Sequence, residues 1–95
     1  MAVLESKIER KIVAWLHREG WWAEKLHLDS KRGFPDVTAV KNNIWVLFEV
    51  KRPGGVVAKH QKQVHKDLRK AGAQVFVVES LEEVQAIVGG LCDSP

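Results

Sequence analysis

Residues 33–55, GFPDVTAVKNNIWVLFEVKRPGG, decide the fold. The pair Asn42-Asn43 divides this stretch into two runs rich in β-branched and aromatic side chains, 36–40 and 44–51. Asparagine tolerates the positive φ of a tight hairpin turn, so the runs read as two antiparallel strands. With the two asparagines at the turn, Val40 faces Trp45, Thr38 faces Leu47 and Asp36 faces Glu49. Side chains alternate along a strand, which puts Lys51 on the same face as Glu49. A hairpin apolar enough to be buried therefore aims two carboxylates and an ammonium group at one end.

Two carboxylates about 6 Å apart repel by roughly 3 kcal/mol at an effective dielectric of about 20, a sizeable part of a small domain's stability. The pattern predicts a positive occupant. A divalent cation suits it, because paired carboxylates offer the hard oxygens magnesium prefers and leave positions for water and phosphate. Lys51 is then available to hold a nucleophilic water or to stabilise charge building on phosphate. The plainer reading is a loop-capping Asp36 beside a surface Glu49–Lys51 pair on an edge strand. Against it, IWVLFEV is too apolar for a casual edge.

Upstream, Leu4, Ile8, Ile12, Trp15 and Leu16 recur at three- and four-residue steps and predict a first helix ended by Gly20. Glu5 and Glu9 fall on its apolar side or margin, an odd place for a solvated acid. Residues 21–28 read as a strand, and residues 29–33, DSKRG, as a polar loop. Trp15 and Trp45 are expected in the core. Trp21 and Trp22 must point to opposite faces of their strand, leaving core packing on both sides or one ring exposed, as at a dimer contact.

Downstream, residues 52–59 form a connection whose RPGG lacks the lysine and serine of a phosphate loop and reads as flexible. Val64, Leu68 and Ala71 mark one face of a second helix closed by Gly72. Residues 74–79 give a fourth strand, apolar enough for burial on both faces. Ser80 and Glu83 form a capping-box pattern ahead of a third helix with a Leu81, Val84, Ile87, Val88 stripe. The order α-β-β-β-α-β-α predicts an α/β fold, a mixed sheet flanked by helices, with a parallel crossover from third to fourth strand. One domain is expected over residues 1–95, its core at about 4–88 and residues 89–95 a flexible tail carrying Cys92 as a free thiol.

The net charge of +3 and pI near 9.2 are only mildly basic, but Lys51, Arg52, Lys59, His60, Lys62, His65, Lys66, Arg69 and Lys70 crowd one third of the chain. Such a run fits phosphate-backbone contact. His60 and His65 are five apart, the wrong spacing for a two-histidine zinc face. One cysteine cannot make an intrachain disulfide, no apolar run approaches a membrane span, and the charged amino terminus is unlike a secretory signal. An intracellular location, cytoplasmic or nucleoid-associated, is expected.

The spacing Gly33-Phe-Pro35-Asp36 followed by Phe48-Glu49-Val-Lys51 resembles the PD-(D/E)XK nuclease superfamily, particularly its VRR-NUC branch. The context extends the resemblance from about Glu5 to Val84. KIERKIVAWLHREG is similar to the first helix of these nucleases and of archaeal Holliday junction resolvases, in which a helix glutamate about three turns before a glycine joins the active site. Glu9 stands there, with Glu5 the alternative one turn earlier. Gln61, Leu68 and Gly72 match the branch's glutamine, leucine and glycine before the last strand, with Gln63 a poorer fit than Gln61. His60 stands where the branch often has an apolar residue.

The resemblance implies a restriction-endonuclease-like fold and a magnesium-dependent endodeoxyribonuclease, with manganese able to substitute. Its catalytic residues would be Asp36, Glu49, Lys51, Glu9 and Gln61, and its metal ligands Asp36, Glu49, Glu9 and Val50. Lys25, Arg52, Lys59, His60, Lys62 and Lys66 would contact DNA. Hydrolysis leaving a 5′ phosphate, a homodimer and a branched substrate such as a Holliday junction, in replication, repair or recombination, are implied by the same analogy. No membrane and no small-molecule cofactor are expected. The rival readings are a non-catalytic nucleic-acid-binding module and a protein-interaction domain.

Overall fold

The computed structural model describes residues 3–26, 28 and 32–92. Its elements run α1 (Val3–Arg18), β1 (Trp22–Lys25), β2 (Val37–Lys41), β3 (Ile44–Val50), α2 (Lys59–Lys70), β4 (Gln74–Val78) and α3 (Leu81–Cys92). The strands form one sheet in the order β1-β2-β3-β4, antiparallel across the first three and parallel between β3 and β4. This is the mixed sheet with flanking helices that the sequence predicts. No helix among the described residues is long and apolar enough to cross a membrane.

The β2–β3 hairpin fixes everything else. Asn42 and Asn43 both have positive φ, 50° and 66°, as a tight two-residue turn demands. The resulting register pairs Val40 with Trp45, Thr38 with Leu47 and Val37 with Phe48. Ala39, Val46, Phe48 and Val50 then share one face with Ala23 and Val78, and Ile12 and Leu16 of α1 and Val84 and Val88 of α3 close the core over them. The opposite face carries Glu49, which α2 covers through Gln61 and His65. Ser80 Oγ accepts the Glu83 N–H at 3.2 Å at the start of α3, while the Glu83 carboxylate accepts the Glu79 N–H at 2.6 Å.

Several local expectations change. Strand β1 stops at Lys25, short of Leu28, although the Leu26 N–H still donates to the Asp36 carbonyl at 3.1 Å. Of the polar loop at 29–33, residues 29–31 lie outside the described residues. Trp45 is 62% exposed and Trp22 54%, while Trp21 is buried and Trp15 packs against the core. Register explains the exposed pair: Trp22 and Trp45 both flank Val40 on the α2 face, and α2 packs over β4, at the other side of the sheet. Strand β4 is not buried on both faces either. It is an edge strand, and Val77 is partly exposed.

The RPGG segment is a defined turn in which the Gly55 N–H donates to the Arg52 carbonyl at 2.8 Å. Pro53 followed by Gly54 at φ 77° is the pattern of a type II turn, and the Gly54 N–H is held by the Glu79 carboxylate at 3.1 Å. At the other end, α3 continues through Gly89 and Gly90 to Cys92, where the sequence suggested a tail, because Leu91 prolongs the stripe packed on the core. Residues 93–95 lie outside the described residues.

Candidate active site

Asp36 lies one residue before β2, so the ladder ends at Val37 and the acid does not face Glu49 as a paired residue. The chain bends here, and the Asp36 carboxylate turns back to accept the Val50 N–H through Oδ2 at 2.8 Å. Its carbonyl accepts from Leu26, which pins Asp36 between β1 and β3. Gly33 makes the approach possible. It has φ 86°, and a Cβ there would lie 3.1 Å from the Gln61 Cα and 3.2 Å from the His60 carbonyl, so the segment leading to Asp36 lies directly against the first turn of α2.

Glu49 sits on β3 with 1% of its surface exposed and, among the described residues, four polar neighbours. His65 Nε2 lies 3.0 Å from Oε1, Gln61 Nε2 donates to Oε2 at 3.3 Å, and Lys51 Nζ is 3.7 Å from Oε2. The fourth is the carboxyl of Asp36, close enough to act on the Glu49 carboxyl. Burial, and then Asp36, push the Glu49 carboxyl up to about 8, with Lys51 opposing. The two acids are thus brought together beside a half-buried lysine, as the hairpin pattern suggested, although through a bend and a side-chain hydrogen bond instead of strand pairing.

Glu9, on the inner side of α1, is buried, and Lys25 on β1 reaches it with Nζ 2.9 Å from Oε1. Oε2 has no hydrogen-bond partner among the described residues. Burial raises the Glu9 pKa, Lys25 opposes, and the charges of Asp36 and Glu5 act in the same direction as burial. Glu5 is half-buried on the same helix and raises the pKa of Glu49 as well. The alternation of β1 accounts for Lys25: it shares a face with Ala23, which packs toward α1.

Helix α2 divides its residues cleanly. Lys59, Lys62 and Lys66, at three- and four-residue steps, share an exposed face, and His60 and Arg52 are also exposed. Gln61 turns inward, its Oε1 accepting the Ala58 N–H at 2.8 Å, whereas Gln63 donates to Asp67 on the surface at 2.9 Å. His65, which the sequence groups with the basic run, is buried and belongs with Glu49. Burial lowers its pKa, the charges of Arg69 and Lys51 lower it further, and Asp36 opposes. The signal that would have found it is spacing: His65 is one helical turn from Gln61 and so shares its face.

Among the described residues, no three histidine, cysteine or acidic side chains converge as a metal cage. The donor set is the pair Asp36 and Glu49, near a buried Glu9 with an unsatisfied oxygen. Two carboxylates suit magnesium, which keeps several waters and binds substrate phosphate, and do not suit a four-ligand zinc site. Val50 could add only its carbonyl, since its N–H is taken by Asp36 and its side chain is in the core.

No family model matches the chain. Among curated proteins it is similar to the "Putative nuclease p44" of Acyrthosiphon pisum secondary endosymbiont phage 1, 32% identical over 79 residues that cover 82% of this chain and 85% of that protein. Among solved structures it is similar to a VRR_NUC domain with a TM-score of 0.83 and 27% identity, over 93% of this chain and 97% of the other. The sequence similarity thus spans most of the phage protein, and the superposition nearly all of the VRR_NUC domain. The chain belongs to the VRR-NUC family of nucleases.

Proposed function

We propose that this nuclease is a magnesium-dependent endodeoxyribonuclease of the PD-(D/E)XK type, with manganese able to substitute. The observation that carries the reading is the buried Glu49 carboxyl with the Lys51 ammonium 3.7 Å away, beside an Asp36 carboxylate that the Val50 N–H holds on the neighbouring backbone. Asp36, Glu49 and the Val50 carbonyl would hold the cation, and Glu9 would act on it through water, since Lys25 already occupies one of its oxygens. When bound, the ion supplies Lewis-acid polarisation of the phosphate and a more acidic water. Lys51 orients the attacking water and offsets the charge that develops on the phosphoryl oxygens. Gln61, anchored at Ala58, offers its amide toward the same Glu49 oxygen and orients water or phosphate. The product is a 5′ phosphate.

Exposed Lys59, Lys62 and Lys66, with His60 and Arg52, give a basic surface for the DNA backbone, and backbone contacts confer affinity without sequence preference. The reading therefore favours selection by DNA shape, with branched substrates such as four-way junctions in replication, repair or recombination, acting in the cytoplasm or at the nucleoid. The chain acts as one domain and as a homodimer. The exposed Trp22 and Trp45, flanking a half-buried Val40, are the kind of apolar surface that a second copy covers.

Purified protein incubated with junction, flap, duplex and single-stranded DNA, with magnesium, manganese or chelator, tests the proposal. Metal-dependent cuts that favour a branched form are the expected result. DNA binding without cleavage in either metal would refute the catalytic reading and leave a nucleic-acid-binding module. Sedimentation of the same sample tests the dimer.

A further inference from the structure

His65 has no part in the chemistry proposed above, yet it is 2% exposed and polar. An imidazole removed from water needs a hydrogen-bond partner, or its burial opposes folding. Its partner is Glu49. One turn apart on the inner face of α2, His65 and Gln61 grip opposite oxygens of that carboxylate, His65 at Oε1 and Gln61 at Oε2. Lys51 also approaches Oε2. When Glu49 is ionised its oxygens only accept, so Nε2 of His65 is the donor.

We propose that His65 is a positioning residue of the nuclease site, clamping Oε1 of Glu49 so that Oε2 is the oxygen presented to the cation and the substrate phosphate. This rests on the metal-dependent reading. The geometry gives the clamp its stiffness: the donor lies on a helix packed against β4, and β4 pairs with the strand that carries Glu49, so both ends are fixed by the fold. A carboxylate held by a single oxygen cannot rotate about its last bond without breaking that hydrogen bond. Apolar filling of the same volume would pack as well but leave Oε1 without a donor, so that the carboxylate is held only through Oε2, the oxygen meant for the cation. The clamp therefore governs how well the acid binds a cation, beyond whether the domain folds.

His65→Leu and His65→Gln test the idea, since the glutamine amide restores an N–H donor at a similar reach. The measurements are manganese binding by calorimetry, single-turnover cleavage at saturating manganese, and thermal unfolding in chelator. His65→Leu should fold and lose about 10- to 100-fold in manganese affinity, the usual effect of removing a group that orients a metal ligand. His65→Gln should recover most of that loss. The proposal is overturned if His65→Leu binds manganese and cuts like the unmodified protein. Equal losses in both variants that track their loss of stability, or failure of both to fold, would assign His65 to packing and overturn it too. An unmodified protein that binds no manganese would instead refute the metal-dependent reading itself.

Discussion

Replacing Glu49 with glutamine should make the metal-free protein more stable at pH 8 while abolishing cleavage. Burial and the neighbouring Asp36 raise the Glu49 carboxyl from 4.5 in the unfolded chain to about 8 in the folded one. Between those values the folded state holds the extra proton, so stability falls as pH rises and levels off above about 8. At about 1.4 kcal/mol per unit the ceiling is about 5 kcal/mol, and sharing of the proton with Asp36 brings the effect below it. Glu49→Gln keeps the volume and removes the titration. Its amide oxygen can still accept from His65 and its amide hydrogens can donate to Asp36, while the bond from Gln61 is lost at a cost of about 1 kcal/mol. The net expectation is a gain of roughly 2–4 kcal/mol at pH 8 that shrinks toward zero as pH falls to about 5. Urea unfolding of both proteins in chelator across pH 6.5–9 measures it. The lowered pKa of His65 makes stability fall with acid below 6.5, so this window avoids that opposite slope. A variant less stable than the unmodified protein at pH 8, or an unmodified protein whose stability does not fall between pH 6.5 and 8, would refute the account of Glu49 as a charge held at a cost to folding.

Lys51→Ala should reduce single-turnover cleavage by at least about 100-fold with DNA affinity kept, measured by quench assays beside binding titrations. Gly33→Ala should destabilise the domain by about 2–3 kcal/mol in urea unfolding, because the residue has positive φ and its new Cβ would press on the backbone of Gln61. A change below about 0.5 kcal/mol would show that the Gly33 approach to α2 is not required. Lys62→Ala and Lys66→Ala should each lower the slope of log affinity against log salt by about one, with little change in the cleavage rate at saturating DNA. An unchanged slope would place the DNA elsewhere on the surface.

Local sequence determined the hairpin. Asn42 and Asn43 tolerate the turn, and strand alternation then dictates which side chains share a face, so the position of Glu49 beside Lys51 was legible in residues 33–55 alone. The inward placement of Glu9 followed from helical periodicity in the same way. What the tertiary structure alone decided depends on which element covers which part of the sheet. Trp45 has the composition of a core residue but stands in solvent because α2 lies over β4, away from it. His65 sits in a basic run yet is buried, because the inner face of α2, which it shares with Gln61, is turned toward Glu49. Asp36 reaches its partner through a bend outside the strand, held by the Val50 N–H and by the close approach of Gly33 to α2. Turns and alternation act between residues near in sequence, so they can be read from the chain; coverage of a sheet face by a helix depends on long-range packing, which no short pattern encodes.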